Sequence, residues 1–428
     1  MKYLFKKVKI IDPGGKHHHK ICDVLVDNGT IGSIRQEIKT DSSMVVLSRP
    51  GSYLSCGWTD LGATVGEPGF EHRETLSSLA NAASHGGYTK VFIFPNTNPC
   101  IHSKSEIHFI KNQSSQLPVQ IFPIGAVSKS CQGTEMAELL QMHDAGASAF
   151  SDGRKPIQDS GLFMRALEYL KLLPNTILIH QSFDKAIGGQ GQIDEGKMST
   201  LLGLKGIPVL AETIHLNRDI ALLNYTHSRL MVHKVSCSDA VQTLRQAKKQ
   251  NEQLFSSVSI LNLIFNSDAL NTFDVHLKVD PPLRTEKDRK ALIKGLSDHT
   301  IDCIVSDHTP WDPETKDLEF QSAAFGSLGL QTAFSAFCTY LLPELSIDLW
   351  VEKTVKAYAS IFRVPVSEIE SGKPADLTWF ETKSESVWLE SKICSISKNS
   401  PFLNQKMKGS VLGTLCNGKL FSHVNELH

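Results

Sequence analysis

Short apolar runs broken by polar residues and tight turns open the chain. Tyr3-Leu-Phe-Lys-Lys-Val-Lys-Ile-Ile11, Asp23-Val-Leu-Val26 and Gly32-Ser-Ile34 predict strands, with turns at Asp12-Pro-Gly-Gly15 and Asn28-Gly29. No helix of useful length fits before about residue 50. The C-terminal stretch has the same character, in Asp376-Leu-Thr-Trp-Phe380, Gly409-Ser-Val-Leu-Gly-Thr-Leu415 and Asn417-Gly-Lys-Leu-Phe421. Two strand-rich ends around a different middle predict one small β-sandwich domain built from both termini.

The middle alternates apolar strands with helical periods. Lys90-Val-Phe-Ile-Phe94, Val119-Gln-Ile-Phe122, Ala147-Ser-Ala-Phe150, Thr176-Ile-Leu-Ile179, Val209-Leu210, Leu230-Met-Val-His-Lys-Val235 and Cys303-Ile-Val-Ser306 read as strands. Residues 74–83, 160–170 and 239–248 carry apolar positions at helical spacing. Such β-α alternation predicts a TIM (β/α)8 barrel, with an open doubly wound sheet as the alternative. The expected division is 1–52 for the first part of the sandwich, 53–371 for the barrel and 372–428 for the second part. Barrel enzymes carry their chemistry at the C-terminal ends of the strands, so those ends hold the candidate residues.

Charge and cysteine content narrow the picture. Against 45 acidic residues stand 44 Lys and Arg, a net charge of −1, so no global field favours nucleic acid or an anionic membrane. The pairs Lys6-Lys7 and Lys248-Lys249 read as solvated faces. Nine scattered cysteines form no close C-x-x-C pair, which fits free thiols in a cytoplasmic protein. No apolar run is long enough for a membrane helix, and lysines interrupt the N-terminus too early for a signal peptide. Gly188-Gly-Gln-Gly-Gln192 lacks the strand-to-helix setting of a dinucleotide or phosphate loop and reads as a flexible barrel-top loop. His17-His-His19 could bind metal weakly, but its place in a turn between two strands reads as a polar surface loop.

One family resemblance runs through nearly the whole chain. Its carriers are Gly66-Glu-Pro-Gly69, Pro95-Asn-Thr-Asn-Pro99, Gly206-Ile-Pro-Val-Leu-Ala-Glu212, Lys278-Val-Asp-Pro-Pro-Leu-Arg284, Asp302-Cys-Ile-Val-Ser-Asp-His-Thr-Pro310, Phe325-Gly-Ser-Leu-Gly-Leu330 and Gly372-Lys-Pro-Ala-Asp-Leu377. In this order they resemble the dihydroorotases, cyclic amidohydrolases of pyrimidine biosynthesis. The resemblance implies an amidohydrolase-type barrel. It also implies a zinc-bound hydroxide that attacks a ring carbonyl, and an Asp that moves the proton.

The residues that would do this are largely replaced. Asp60-Leu-Gly-Ala-Thr-Val-Gly-Glu-Pro-Gly69 stands where the family carries His-x-His followed by an arginine, so Gly62 and Thr64 replace two zinc ligands and Gly66 the substrate's counter-ion. Alignment on Ser236 puts Lys234 at a further metal histidine. Asp280 replaces a substrate-binding Asn, and Trp311 a His. The residual metal candidates are His180, Asp152 and Asp307, with Asp307 also the catalytic acid-base candidate if the protein is active. His180 reads equally well as an ordinary strand-end histidine, and Asp307 as a carboxylate kept for loop hydrogen bonds. Asn96, Phe325 and Gly326 match substrate-binding positions. Strand alternation predicts that His233 faces the helical layer. Lys234 is expected to fill part of the metal volume and to pair with Asp307 or Asp152.

Three functions stay open from sequence. The first is a non-catalytic dihydroorotase-family scaffold without a competent zinc site, for which the resemblance implies aspartate carbamoyltransferase as partner and a homo-oligomer, a dimer, as its state. The second is an active dihydroorotase with a shifted zinc site built from His180, Asp152, Asp307 and either His308 or His233. The third is a hydrolase of another cyclic amide, with Trp311 reshaping the pocket. The scaffold, without a cofactor, is the leading expectation, because losing even one such group usually costs orders of magnitude in rate.

Overall fold

The computed structural model describes residues 1–364 and 368–423, so the last five residues of the expected 372–428 segment lie outside the described ones. Five strands open the chain: β1 (Lys2–Ile11), β2 (Ile21–Asp27), β3 (Thr30–Arg35), β4 (Met44–Ser48) and β5 (Tyr53–Cys56). The middle contributes β6 (Trp58–Ala63), β7 (Tyr88–Ile93), β8 (Gln120–Pro123), β9 (Leu178–His180), β10 (Ile193–Asp194), β11 (Gly206–Ile207), β12 (Leu230–Val232), β13 (Leu254–Ser259) and β14 (Cys303–Val305). The end supplies β15 (Leu377–Val387), β16 (Lys406–Cys416) and β17 (Lys419–Ser422).

Both termini join one eight-stranded ladder in the order β17-β16-β15-β5-β1-β2-β3, with β4 also beside β1. β5 belongs to this ladder although it lies just past residue 52. Strand β1 is bulged between Phe5 and Val8, where Lys7 has φ +51°. Its first half pairs with β4 and its second with β5. A bulge bends the strand that carries it. The two halves of the ladder can therefore fold over a shared core, in which Phe5 meets Trp379 edge-on at 5.9 Å.

The barrel staves are parallel and run β6-β7-β8, a single rung at Phe150 bridged to Gly125 and Leu178, then β9-β12-β13-β14. Backbone N–H of Thr64 donates to the His308 carbonyl at 2.9 Å, closing the first stave against the last. Leu61, Phe92, Ile124, Ala149, Ile179, Met231 and Val305 fill the interior over a plug made by Tyr358 and Phe362. It is a packed core, in which burying each large side chain stabilises the fold by about 1.5–3 kcal/mol.

Local sequence explains the helices around it. Thr75 and Ser78 form a capping box ahead of helix Leu76–His85, and Asp159 caps Ser160–Lys171 through the Leu162 N–H. Each cap contributes about 0.5–2 kcal/mol. One sequence-based strand is corrected: Leu210 begins the helix Leu210–Thr226, and the short strand lies earlier at β11. The apolar run after Pro208 is the start of a long helix, with Leu210 exposed and Ala211 buried, and periodicity cannot separate it from a strand over so few residues. Stave β13 escaped notice because its serines at 256, 257 and 259 conceal a strand that is buried everywhere but at Phe255. Lys248 is a further correction, since it turns from solvent to pair with Asp302.

Candidate functional site

The mouth of the barrel is built at the ends of β6, β7, the Phe150 rung, β12 and β14. Asp60 on β6 anchors it: its two carboxylate oxygens accept the N–H and the hydroxyl of Ser306, both at 2.7 Å. Burial pushes the Asp60 carboxyl up to about 6, although those bonds oppose the shift. The carboxylate therefore ties the first stave to the last instead of facing a substrate.

Gly62 sits at φ +84°, and a Cβ built there would lie 2.7 Å from the Phe94 ring and 3.0 Å from His233 Cε1. Phe94 and His233 meet edge to face, with centroids 5.1 Å apart, in the volume a histidine at position 62 would need. A Cβ on Gly66 would lie 2.0 Å from the Phe70 carbonyl oxygen, so position 66 has no room for any side chain in this loop. At both positions the surroundings have closed around the glycine.

His233 accordingly faces the barrel interior, against the expectation from alternation. β12 ends at Val232 and Lys234 takes φ +57°, so the two-residue period stops before it reaches these side chains. The His233 ring is buried, its Nδ1 lies 3.1 Å from the Ser257 hydroxyl, and burial followed by Lys234 holds it neutral, well below the usual histidine range.

Lys234 reaches across the mouth. Its ammonium donates to Asp307 Oδ1 at 2.7 Å and to the Asp280 carbonyl at 2.5 Å, with the lysine 5% and Asp307 6% exposed. Of the two carboxylates expected for it, Lys234 takes Asp307. Asp152 is engaged elsewhere, accepting the N–H of Ser128 at 2.9 Å and the Ser128 hydroxyl. Burial raises the Asp152 carboxyl against these bonds.

His180 turns toward the helical layer. Its Nδ1 lies 2.8 Å from Asp219 Oδ2 on helix Leu210–Thr226, and its Nε2 accepts the Ile157 N–H at 3.0 Å. An accepting Nε2 leaves the ring proton on Nδ1, directed at Asp219. Burial alone would raise Asp219, but His180, then Arg218 and Ser182, hold it at about 2. His308 is likewise committed, with Nε2 3.3 Å from Glu74 and Nδ1 accepting the Gly329 N–H at 3.4 Å.

A zinc ion needs three or four lone pairs converging at about 2.0–2.3 Å. His180, Asp152 and Asp307 are not brought together in this way. Among the described residues, three His, Cys, Asp or Glu donor atoms come within 4.8 Å of one another at His18, His19 and Asp348, away from the mouth. His180 spends its free lone pair on a backbone N–H, and a lysine occupies Asp307, so the mouth residues do not fit the family's metal.

The remaining matches to substrate positions hold loops in place. Asn96 donates to the Asp152 carbonyl and accepts the Arg154 N–H, each at 3.0 Å. The Phe325 carbonyl accepts Arg154 Nη2 at 2.6 Å and the Trp311 indole N–H at 2.9 Å, while the Gly326 carbonyl accepts the Asn399 amide at 3.3 Å. Asp280 Oδ1 accepts the Gln181 amide at 2.9 Å.

Sequence reasoning missed Arg73 and Arg154, whose guanidinium carbons lie 4.4 and 5.5 Å from the Trp311 ring centroid. Both line a small recess with Thr64, Gly66, Asn96 and Trp311. The position of Arg154, two residues after Asp152 at a stave end, was the available signal. Arg73 pairs with Asp312 at 2.8 Å. The recess thus has a cationic, aromatic wall and a buried Thr64 hydroxyl without a partner.

Comparison with known proteins agrees with the motif order. Residues 51–240 match the family model described as Dihydro-orotase-like. A dihydroorotase of Acetivibrio thermocellus is 36% identical over 421 residues, covering 97% of this chain and 98% of that protein. One from a Thermoanaerobacter species is 35% identical over 425 residues, covering 98% and 97%. The fold is that of an L-hydantoinase (dihydropyrimidinase) from Arthrobacter aurescens, with a TM-score of 0.87 at 21% identity over 100% of this chain and 97% of that one. A dihydropyrimidinase from Brevibacillus agri gives 0.83 at 18% identity, over 100% and 96%. Identity above 30% along nearly the full length of both relatives, on an amidohydrolase barrel with its β-sandwich, means that this chain belongs to the dihydroorotase family.

Proposed function

We propose that this protein is a non-catalytic member of the dihydroorotase family, a barrel kept as an assembly scaffold. The Lys234–Asp307 ion pair carries this reading. Ring opening needs a metal-held hydroxide and a carboxylate free to take and return its proton. Here an ammonium lies against that carboxylate and supplies a fixed positive charge that coordinates no water. The closed space over Gly62 and the two committed nitrogens of His180 support the same reading.

The test is turnover of dihydroorotate, and of carbamoyl aspartate in the reverse direction, by purified protein supplied in turn with zinc, cobalt and manganese. The expected result is no rate above the metal-containing buffer. Turnover at an enzyme-like rate with any of them overturns the proposal.

As a scaffold, the protein's partner is aspartate carbamoyltransferase from the same cell, and its own state is a homo-oligomer. Co-elution of the two chains in size-exclusion chromatography is expected. Separate elution at micromolar concentration removes that partner.

A further inference from the structure

We propose that His18, His19 and Asp348 form a binding site for a divalent transition-metal cation of the zinc type, at the junction of the terminal ladder and the barrel. The histidine tract alone was a polar turn between β1 and β2. Folding adds a third donor from far along the chain, on the helix Ile347–Val351. His19 Nε2 lies 2.7 Å and His18 Nε2 3.4 Å from the same oxygen, Asp348 Oδ1. The three donor atoms all lie within 4.8 Å of one another.

Chemistry and spacing both suit such an ion. Two imidazoles and one carboxylate are a common borderline-soft donor set, and a surface position leaves room for a water as fourth ligand. Tetrahedral bonds of about 2.0–2.1 Å place neighbouring donors about 3.3 Å apart. The His18 separation already has this value. The His19 separation must open by about half an ångström, which its half-exposed side chain permits, since 50% of it is accessible to solvent.

The surroundings fix one ligand and set a cost. His18 Nδ1 accepts the Asp12 N–H at 3.1 Å, which orients the ring with Nε2 toward Asp348. Asp12 is itself held, its Oδ1 2.6 Å from Lys356 Nζ and its Oδ2 accepting the Ile369 N–H at 3.1 Å. When a metal takes the Nε2 lone pair, the neutral ring carries its proton on Nδ1 and the Asp12 N–H loses its acceptor. The His18 side chain is 27% accessible against 3% for His180, so it can shift to relieve the two facing donors where the buried His180 cannot. The site is therefore one of moderate affinity. The bound cation would hold the β1–β2 loop against the barrel helix, and it is independent of whether the mouth is catalytic.

Equilibrium dialysis of the full chain, made without a polyhistidine tag, against zinc alone tests this, with cobalt absorption as a second readout. One zinc per chain is expected, together with the visible bands of four-coordinate cobalt. Both are lost in His19→Ala and in Asp348→Asn, at one exposed and one half-buried position, with the thermal melt in the absence of metal close to that of the parent. No stoichiometric zinc in the parent chain overturns the proposal. So does zinc that survives both substitutions, because it is then held elsewhere.

Discussion

Lys234 Nζ lies 2.7 Å from Asp307 Oδ1 at the mouth of the barrel, with both side chains almost fully buried. An ion pair in this setting has already lost its hydration, so each charge depends on the other. Removing the lysine alone leaves a buried carboxylate without compensation. Lys234→Met is expected to destabilise the protein by about 3 kcal/mol. Lys234→Met with Asp307→Leu should cost clearly less than Lys234→Met alone. Urea unfolding of parent, single and double variants measures both, and equal losses would contradict the coupling.

Positions 62 and 64 respond in opposite ways. At Gly62 a methyl group meets the Phe94 ring on a left-handed backbone, so Gly62→Ala should cost about 1–3 kcal/mol. The Thr64 hydroxyl is buried with no partner, so Thr64→Val should be neutral or stabilising by up to about 1 kcal/mol. Thermal melts of the two variants give the comparison.

A histidine placed at position 234 should not create a metal centre. Lys234→His frees Asp307, yet His180 still gives its Nε2 lone pair to the Ile157 N–H, and position 62 remains closed by Phe94. The variant is expected to bind no more zinc than the parent chain in equilibrium dialysis and to leave dihydroorotate unchanged. One additional zinc per chain would show that the mouth needs only a single ligand.

Acid should expose the His180–Asp219 pair. Asp219 is held at about 2, below its ordinary value, so its ionised form is favoured by folding. The resulting stability, about 2 kcal/mol, is fully present above pH ~4 and lost as pH falls through about 2. The stability gap between the parent and Asp219→Asn should therefore be widest above pH ~4 and shrink toward pH ~2. Denaturant unfolding at steps across that window checks the sign. A gap that grows on acidification would refute it.

Much of this molecule is legible in one dimension. The β-α alternation gives the barrel, the strand-rich ends give the terminal ladder, and the motif order gives the family, because each depends on residue spacing and local turn chemistry. The absence of ligands at Gly62, Thr64 and Lys234 is equally direct, since it needs only residue identity.

Where side chains point is another matter. The alternation that predicts an outward His233 holds only while the strand continues, and β12 ends at Val232. Nothing local marks Phe94 as the residue that closes over Gly62, or Asp348 as the partner of His19, because those contacts join segments remote in sequence. His180 looks the same in sequence whether it binds metal or a backbone N–H. The sequence by itself determined the architecture, which follows from local spacing, and the identities of Gly62, Thr64 and Lys234, none of which offers an imidazole or a carboxylate. Only the tertiary structure decided that the mouth is filled and ion-paired, because close packing and electrostatic pairing depend on which distant side chains share a volume.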